Sequence, residues 1–315
     1  MLRAIRLEGD TVTMGGREVC DPGADALWVD LSPDPENLAW LGQRFGFHPL
    51  ALEDCANEDQ RTKFEEYPDA IFMVLHRLAP TPDESDIQLR ELHAFLGHDL
   101  LVTVHSAPIV EVDRVFDRCS AQARVLLRGP DYAFYTVCDA ITDVHFAIAD
   151  ALAEEIDELI AEVMTVNRRD EEDLLGRILQ ARRTHATLRR RLAPQRELYA
   201  ALTRQGETRV RPQNVLYFRD VLDHLLRLTE EIDTGRDMLG SAMDVHLSMS
   251  NNRMSGITAR LTLVATIFLP LNFVAGFFGM NLEILHPHIA IPLVLVSMIT
   301  LPAVMWITFK RNKLI

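Results

Sequence analysis

At 315 residues the chain is long enough for one sizeable soluble domain plus further elements. Its 46 acidic against 32 basic residues, a formal charge of −14, argue against a nucleic-acid partner, because phosphate binding needs a basic face. The four cysteines, Cys20, Cys55, Cys119 and Cys138, are scattered without a Cys-x-x-Cys pair and read as reduced, mostly buried thiols rather than disulfides or a zinc cage.

Residues 1–130 mix two periodicities. Residues 27–31, 70–75 and 100–104 read as strands, and residues 35–45 and 109–127 as helices, which makes this an α/β domain. The acidic, proline-bearing stretch 80–86 reads as a turn between strands. Residues 1–10 carry arginines and acids with no continuous apolar run, so no signal peptide is expected and the domain is placed in the cytoplasm.

Residues 131–211 read as a helical hairpin. An acidic arm carries apolar positions at helical spacing (Ile148, Leu152, Ile156, Leu159, Ile160, Val163), and a basic arm follows from Arg177 to Arg204. Breaks are expected near 167–171 and 206–212. Arg189, Arg190 and Arg191 read as a solvated helix face that pairs with neighbouring carboxylates.

From about Pro212 no strong stop occurs until Gly279, so residues 212–280 read as one helix of roughly 100 Å that needs neighbours along its length. Its last part, 261–278, is apolar and contains Pro270, which frees a carbonyl and bends the helix. Residues 281–288 form a short external loop, 289–309 a second apolar span, and 310–315 a basic tail with Lys310, Arg311 and Lys313. By the positive-inside rule that tail is cytoplasmic, so both termini are expected inside and the chain spans a bilayer twice.

Gly279, Met280 and Asn281 close the first span. An Asn at the far side of a bilayer is costly against lipid, so it belongs in a protein-lined, wet opening. Two helices cannot enclose water alone; several copies in a ring are required. Reading back from Asn281 at spacings of three and four gives Asn272, Leu269, Ala265, Leu261 or Thr262, Thr258, Ser255 and Asn251, a stripe holding the conspicuous polar residues of an apolar helix. The opposite stripe, with Ile267, Leu271 and Val274, suits lipid or the second span. Amide oxygens are neutral, hard acceptors, able to hold a cation through its water shell. That suits Mg²⁺, which gives up water reluctantly. Leu269 and Leu261 form apolar constrictions that gate by dewetting. No ATP site is needed, since a divalent ion moving inward gains roughly 4.6 kcal/mol per 100 mV.

Gly276-Phe277-Phe278-Gly279-Met280-Asn281, preceded by Ala265-Thr266-Ile267-Phe268-Leu269-Pro270-Leu271, resembles the membrane signature of the CorA family of divalent-metal transporters. So do His48 to Asp54, Gln60 to Glu65, Tyr217 to His224 and the basic tail, in that order. The resemblance implies a homopentameric funnel in the cell inner membrane, with a pore built from the first span of each subunit and an Asn281 ring at the outer mouth. It further implies that Gly276, Asn272, Leu269, Leu261, Thr258 and Ser255 line the pore, with Asp244 forming an acidic inner ring. It also implies closure by Mg²⁺ bound between cytosolic domains, through Asp220, with Asp223 on the same helix, and a loop acid among Asp83, Glu84 and Asp86. A plain surface network is the alternative for Asp220 and Asp223.

The chain departs from the family pattern at Asn272, where Thr is common, and in its loop, which offers Glu283, His286 and His288. Two histidines beside a pore mouth bring Zn²⁺, Co²⁺ and Ni²⁺ into view, and a ZntB-like zinc branch shares the architecture, but without a third ligand they read as interfacial residues. A membrane-anchored sensor without transport is the competing class. No glycine-rich phosphate loop, Gly-x-Ser-x-Gly or His-Glu-x-x-His supports an enzyme.

Overall fold

The computed structural model describes the chain except residues 22, 81–86, 166–170, 205–208, 280–286 and 312–315. It divides into two compact units, Met1–Ala242 and Met243–Ile315.

The first unit is built on strands β1 (Leu2–Glu8), β2 (Thr11–Gly15), β3 (Ala26–Leu31), β4 (Lys63–Glu66), β5 (Ile71–Pro80), β6 (Ile87–Leu96) and β7 (Leu100–Val104). They form one sheet in the order β2-β1-β3-β7-β6-β5-β4. Only β3 and β7 run parallel, with Trp28 opposite Leu101 and Asp30 opposite Thr103. Every residue of β3 is buried, as a strand covered on both faces requires.

Two helices interrupt the chain after β3. Helix α1 (Pro35–Phe45) starts where the Asp34 side chain accepts a hydrogen bond from the Asn37 amide, carries Pro at its first position, and stops at Gly46 in the left-handed region. Helix α2 (Pro49–Ala56) begins in the same manner at His48. Together they cover one sheet face, packing Leu38, Leu41, Ala51 and Cys55 against Val29, Phe72, Val74, Phe95 and Val102. The opposite face, with Ile5, Trp28, Met73, Leu75 and Leu92, receives α3 (Val110–Ala121), α4 (Pro130–Thr165), α5 (Glu171–Leu202) and the start of α6 (Val215–Gly279). A separate cluster of Ile156, Leu159, Val163, Leu174, Ile178 and Leu239 joins the far parts of α4, α5 and α6.

The expected helix over 109–127 is shorter. α3 ends at Ala121, Gln122 is extended, and Leu126–Arg128 form a separate 3-10 turn. Leu126 keeps the helical spacing of seven from Cys119 and is buried, so the pattern marked burial rather than continuity; the chain must turn before entering α4 at Pro130. All four cysteines are free and buried. In the basic arm, Arg189 pairs with Asp233 at 2.5 Å and Arg191 with Asp59 at 2.9 Å.

In the second unit α6 continues to Gly279 and α7 covers Pro287–Arg311. Both helices are long and apolar enough to cross a bilayer. α7 therefore takes in the last two residues assigned to the loop from the sequence, and the rest of that loop lies outside the described residues.

One buried polar network ties β1, β3 and β7 together. Asp30 accepts from the Thr103 hydroxyl at 2.6 Å and from Arg3 Nε at 2.8 Å, and lies 3.2 Å from His105 Nε2; Trp28 donates to Thr103 at 3.0 Å. Burial alone would raise the Asp30 carboxyl, but His105, Thr103 and Arg3 outweigh it and hold it below the usual range. Burial likewise opposes the charged His105, yet the Asp30 hydrogen bond and charge raise its pKa. Stabilisation through His105 is thus complete below its unfolded value near 6.5 and fades as pH rises through the raised folded value. Asp30 adds stability above its unfolded value of 3.8 that is lost on acidification through the lowered one. Denaturant titration should show His105→Gln costing more stability at about pH 5.5 than at about pH 8.5; equal losses would contradict the linkage.

Candidate functional site

Helix α6 carries two features that bear on function. The first is the sidedness of its apolar end. Ser255, Thr258, Leu261, Ala265, Leu269, Asn272, Gly276 and Gly279 are all exposed in the single chain, Leu261 by 69% and Leu269 by 72%. Leu263, Ile267, Pro270, Leu271, Val274 and Phe278, on the other side, are partly covered. The hydroxyls of Thr262 and Thr266 donate to the carbonyls of Thr258 and Thr262 at 2.8 and 2.7 Å, which is how an apolar helix tolerates them. A Cβ placed at Gly276 or Gly279 would meet nothing within 4 Å, so nothing inside one chain demands a glycine there. Asp244 is exposed on the same helix. Met280 and Asn281 lie outside the described residues, as do Glu283 and His286. His288 falls within α7.

The second feature is a cluster on the first unit. Phe134, Val137 and Ile141 of α4 and Phe218, Val221 and Leu225 of α6 share the core and set the two helices side by side. At their margin, Asp139 of α4 and Asp220 and His224 of α6 each offer a ligand atom within 4.8 Å of the others. Asp220 and His224 are one turn apart, with His224 Nε2 4.0 Å from Asp220 Oδ1. The His224 ring stands edge-on to Phe146 at 5.8 Å, and its Nδ1 is buried without a hydrogen-bond partner. Burial, then the charges of Asp143 and Asp220, raise the Asp139 carboxyl above the ordinary carboxylate range, against the pull of His224. Two carboxylates and an imidazole form an oxygen-rich donor set fit for a divalent cation, in which the nitrogen favours Zn²⁺ or Co²⁺ more than an all-oxygen cage would.

Of the residues singled out in the sequence, Asp220 belongs to this cluster. Asp223 is exposed and not part of it, and Asp83, Glu84 and Asp86 lie outside the described residues. Asp139 and His224 were missed as ligands. The four-residue spacing of Asp220 and His224 was a readable signal, whereas Asp139 is brought in only by the packing of α4 on α6.

The family described as CorA-like Mg²⁺ transporter protein matches residues 23–311. The chain belongs to this family. A relative, the cobalt/magnesium transport protein CorA of Thermotoga maritima, is 31% identical over 282 residues, covering 87% of this chain and 78% of its own. The zinc transport protein ZntB of Cronobacter sakazakii is 25% identical over 81% of this chain and 76% of its own. The complete structure of the CorA magnesium transporter from Methanocaldococcus jannaschii superposes with a TM-score of 0.85, covering 100% of this chain and 99% of that one at 23% identity. Family membership makes the protein a transporter of divalent metal cations rather than an enzyme. The α/β unit, the long helix and the paired apolar helices are the CorA fold.

Mn²⁺ titrated into the purified full chain and followed by electron paramagnetic resonance should bind at the cluster, with Asp139→Asn and His224→Gln each weakening it by at least about tenfold. Unchanged affinity in both variants would remove the cluster from consideration.

Proposed function

We propose that the chain assembles as a homopentamer in the cell inner membrane and admits Mg²⁺, and secondarily Co²⁺ or Ni²⁺, down the membrane potential. The observation that carries this reading is the sidedness of α6: a polar-bearing stripe bare in one chain, within a wider bare arc that also holds Val264, Phe268, Phe273 and Phe277, opposite a stripe already partly covered. A bare stripe with Asn272, Thr258 and Ser255 finds its partners in other copies and in enclosed water. Lys310 and Arg311 at the end of α7 support a cytoplasmic α/β unit.

In this reading the Gly279-Met280-Asn281 segment forms the outer mouth, where Asn281 carbonyls accept hydrogen bonds from the ion's water shell. The shell is exchanged slowly by Mg²⁺, so an amide ring that tolerates it selects by the size and charge of the hydrate. Asn272 supplies a second amide ring. Gly276 and Ala265 keep the passage wide, Leu269 and Leu261 narrow it with apolar collars, and Asp244 concentrates cations at the inner end.

Closure follows from linkage. A cation bound at Asp220, with Asp223 and an acid among Asp83, Glu84 and Asp86 as further contributors, favours the arrangement that brings those carboxylates together, so high internal Mg²⁺ populates the shut state. Asp139 and His224 join Asp220 in this regulatory role on the strength of their proximity. The similarity to a zinc transport protein, together with the His224 nitrogen, supports Zn²⁺ as the alternative cargo.

Uptake into proteoliposomes tests the reading. The native chain should take up Mg²⁺ under an inside-negative potential, Asn281→Ala should lose at least about 90% of that flux, and an inert hexaammine complex of the hydrate's size should block it. Impermeable liposomes would favour a membrane-anchored sensor, uptake of Zn²⁺ alone would favour the zinc reading, and uptake indifferent to the hexaammine complex would rule out capture of the intact hydrate.

A further inference from the structure

The far parts of α4, α5 and α6 are drawn together by Ile156, Leu159, Leu174, Ile178 and Leu239. Here α4 and α6 run side by side in the same direction. The Arg227 guanidinium sits over the Phe146 ring at 5.0 Å, and two to three turns further on Ile156 meets α6 at Gly235. A Cβ at Gly235 would come within 2.8 Å of His185 Nε2 and 2.9 Å of Ile156 Cδ1, so the missing side chain is what lets the imidazole of α5 lie against α6.

Around these contacts the helices enclose a cavity of about 460 Å³, a size typical of small-molecule sites. Its walls are apolar, with Leu152, Ala153 and Ile156 from α4 and Ile232 and Met238 from α6. Four exposed carboxylates also line it, Asp150 and Asp157 on α4 and Glu230 and Glu231 on α6. Among the described residues Arg227 is the only arginine or lysine in the lining, and it is engaged: it stacks on Phe146, and its Nε lies 3.7 Å from Glu231 Oε1. Asp150, Asp157 and Glu230 form no ion pair among the described residues. His185 of α5, 4% exposed, completes the lining. Its Nδ1 donates to the Ala181 carbonyl at 2.9 Å, so in the neutral ring Nε2 is an acceptor, and no described residue donates to it.

Carboxylates, an acceptor nitrogen and apolar walls repel an anion and suit a cation with an alkyl body. A metal ion is a poor match, because Mg²⁺ gains nothing from apolar walls and these side chains are not among those whose ligand atoms converge within 4.8 Å. Asp150 and Asp157 stand seven residues apart on one face of α4, hence two turns and roughly 10 Å. The negative charge is therefore spread along the cavity, as several ammonium groups separated by methylenes would require. We infer that the cavity binds a linear aliphatic polyamine, with ammonium groups on Asp150, Asp157 and Glu230, an N–H on His185 Nε2, and methylenes along Leu152, Ala153 and Ile232. Bound there, the polyamine bridges three helices and stabilises their packing. The site is separate from the Asp139/Asp220/His224 cluster and independent of whether the apolar helices conduct ions.

Calorimetric titration of spermidine into the purified full chain, at a fixed ionic strength of about 0.15 M, tests this without reference to ion flux. The native chain and the Asp139→Asn/His224→Gln variant should bind it equally well, and butylamine at least about tenfold more weakly. Asp150→Asn/Asp157→Asn should raise the Kd for spermidine at least about tenfold, and so should Ala153→Phe, which keeps every charge and fills the cavity. All three positions are exposed, so the variants keep the core intact. Native-like affinity in Ala153→Phe would mean diffuse attraction to an acidic surface, and native-like affinity in the paired Asn variant would remove the carboxylates from the contact. Either result overturns the site, as would butylamine binding as tightly as spermidine or binding lost in Asp139→Asn/His224→Gln.

Discussion

Hydrocarbon supplies no hydrogen bonds, so every polar group that α6 carries into a bilayer must be answered by protein or by enclosed water. Threonines answer themselves, returning their hydroxyls to carbonyls one turn back, as Thr262 and Thr266 do. Asn272 stands exposed on the stripe that also holds Thr258 and Ser255. Leu261 and Leu269 on that stripe are bare as well, while Ile267, Leu271 and Val274 are partly covered.

The same helix supplies the acidic cluster. α6 contributes Phe218, Val221 and Leu225 to the core of the α/β unit and Asp220 and His224 to the margin of that core. Asp220 and His224 thus lie on the helix whose later turns bear Leu261 and Leu269. Burial and like charge hold Asp139 above the usual carboxylate range, and a bound cation relieves both penalties.

Much of the fold was legible because its determinants are local. Asp34 and Pro35 start α1 and Gly46 stops it, short apolar runs mark β3, β5 and β7, and the absence of any strong stop between Val215 and Gly279 marks the long helix. The end of α3 was not legible, because Leu126 satisfies the helical spacing from a separate turn. Asp139 could not be assigned, because its proximity to Asp220 arises from packing between elements about eighty residues apart.

The most direct test of the central claim asks which face of α6 meets the permeating ion. Asn272→Cys and Val274→Cys would be compared in proteoliposomes with Cd²⁺ applied during Mg²⁺ flux, the four native cysteines being buried. The account predicts that Cd²⁺ blocks the Asn272→Cys protein at concentrations at least about a hundredfold below those affecting Val274→Cys, because several thiolates converge on one axis. Block at Val274→Cys with Asn272→Cys indifferent would mean the opposite face lines the path, and block at neither would mean that α6 encloses none.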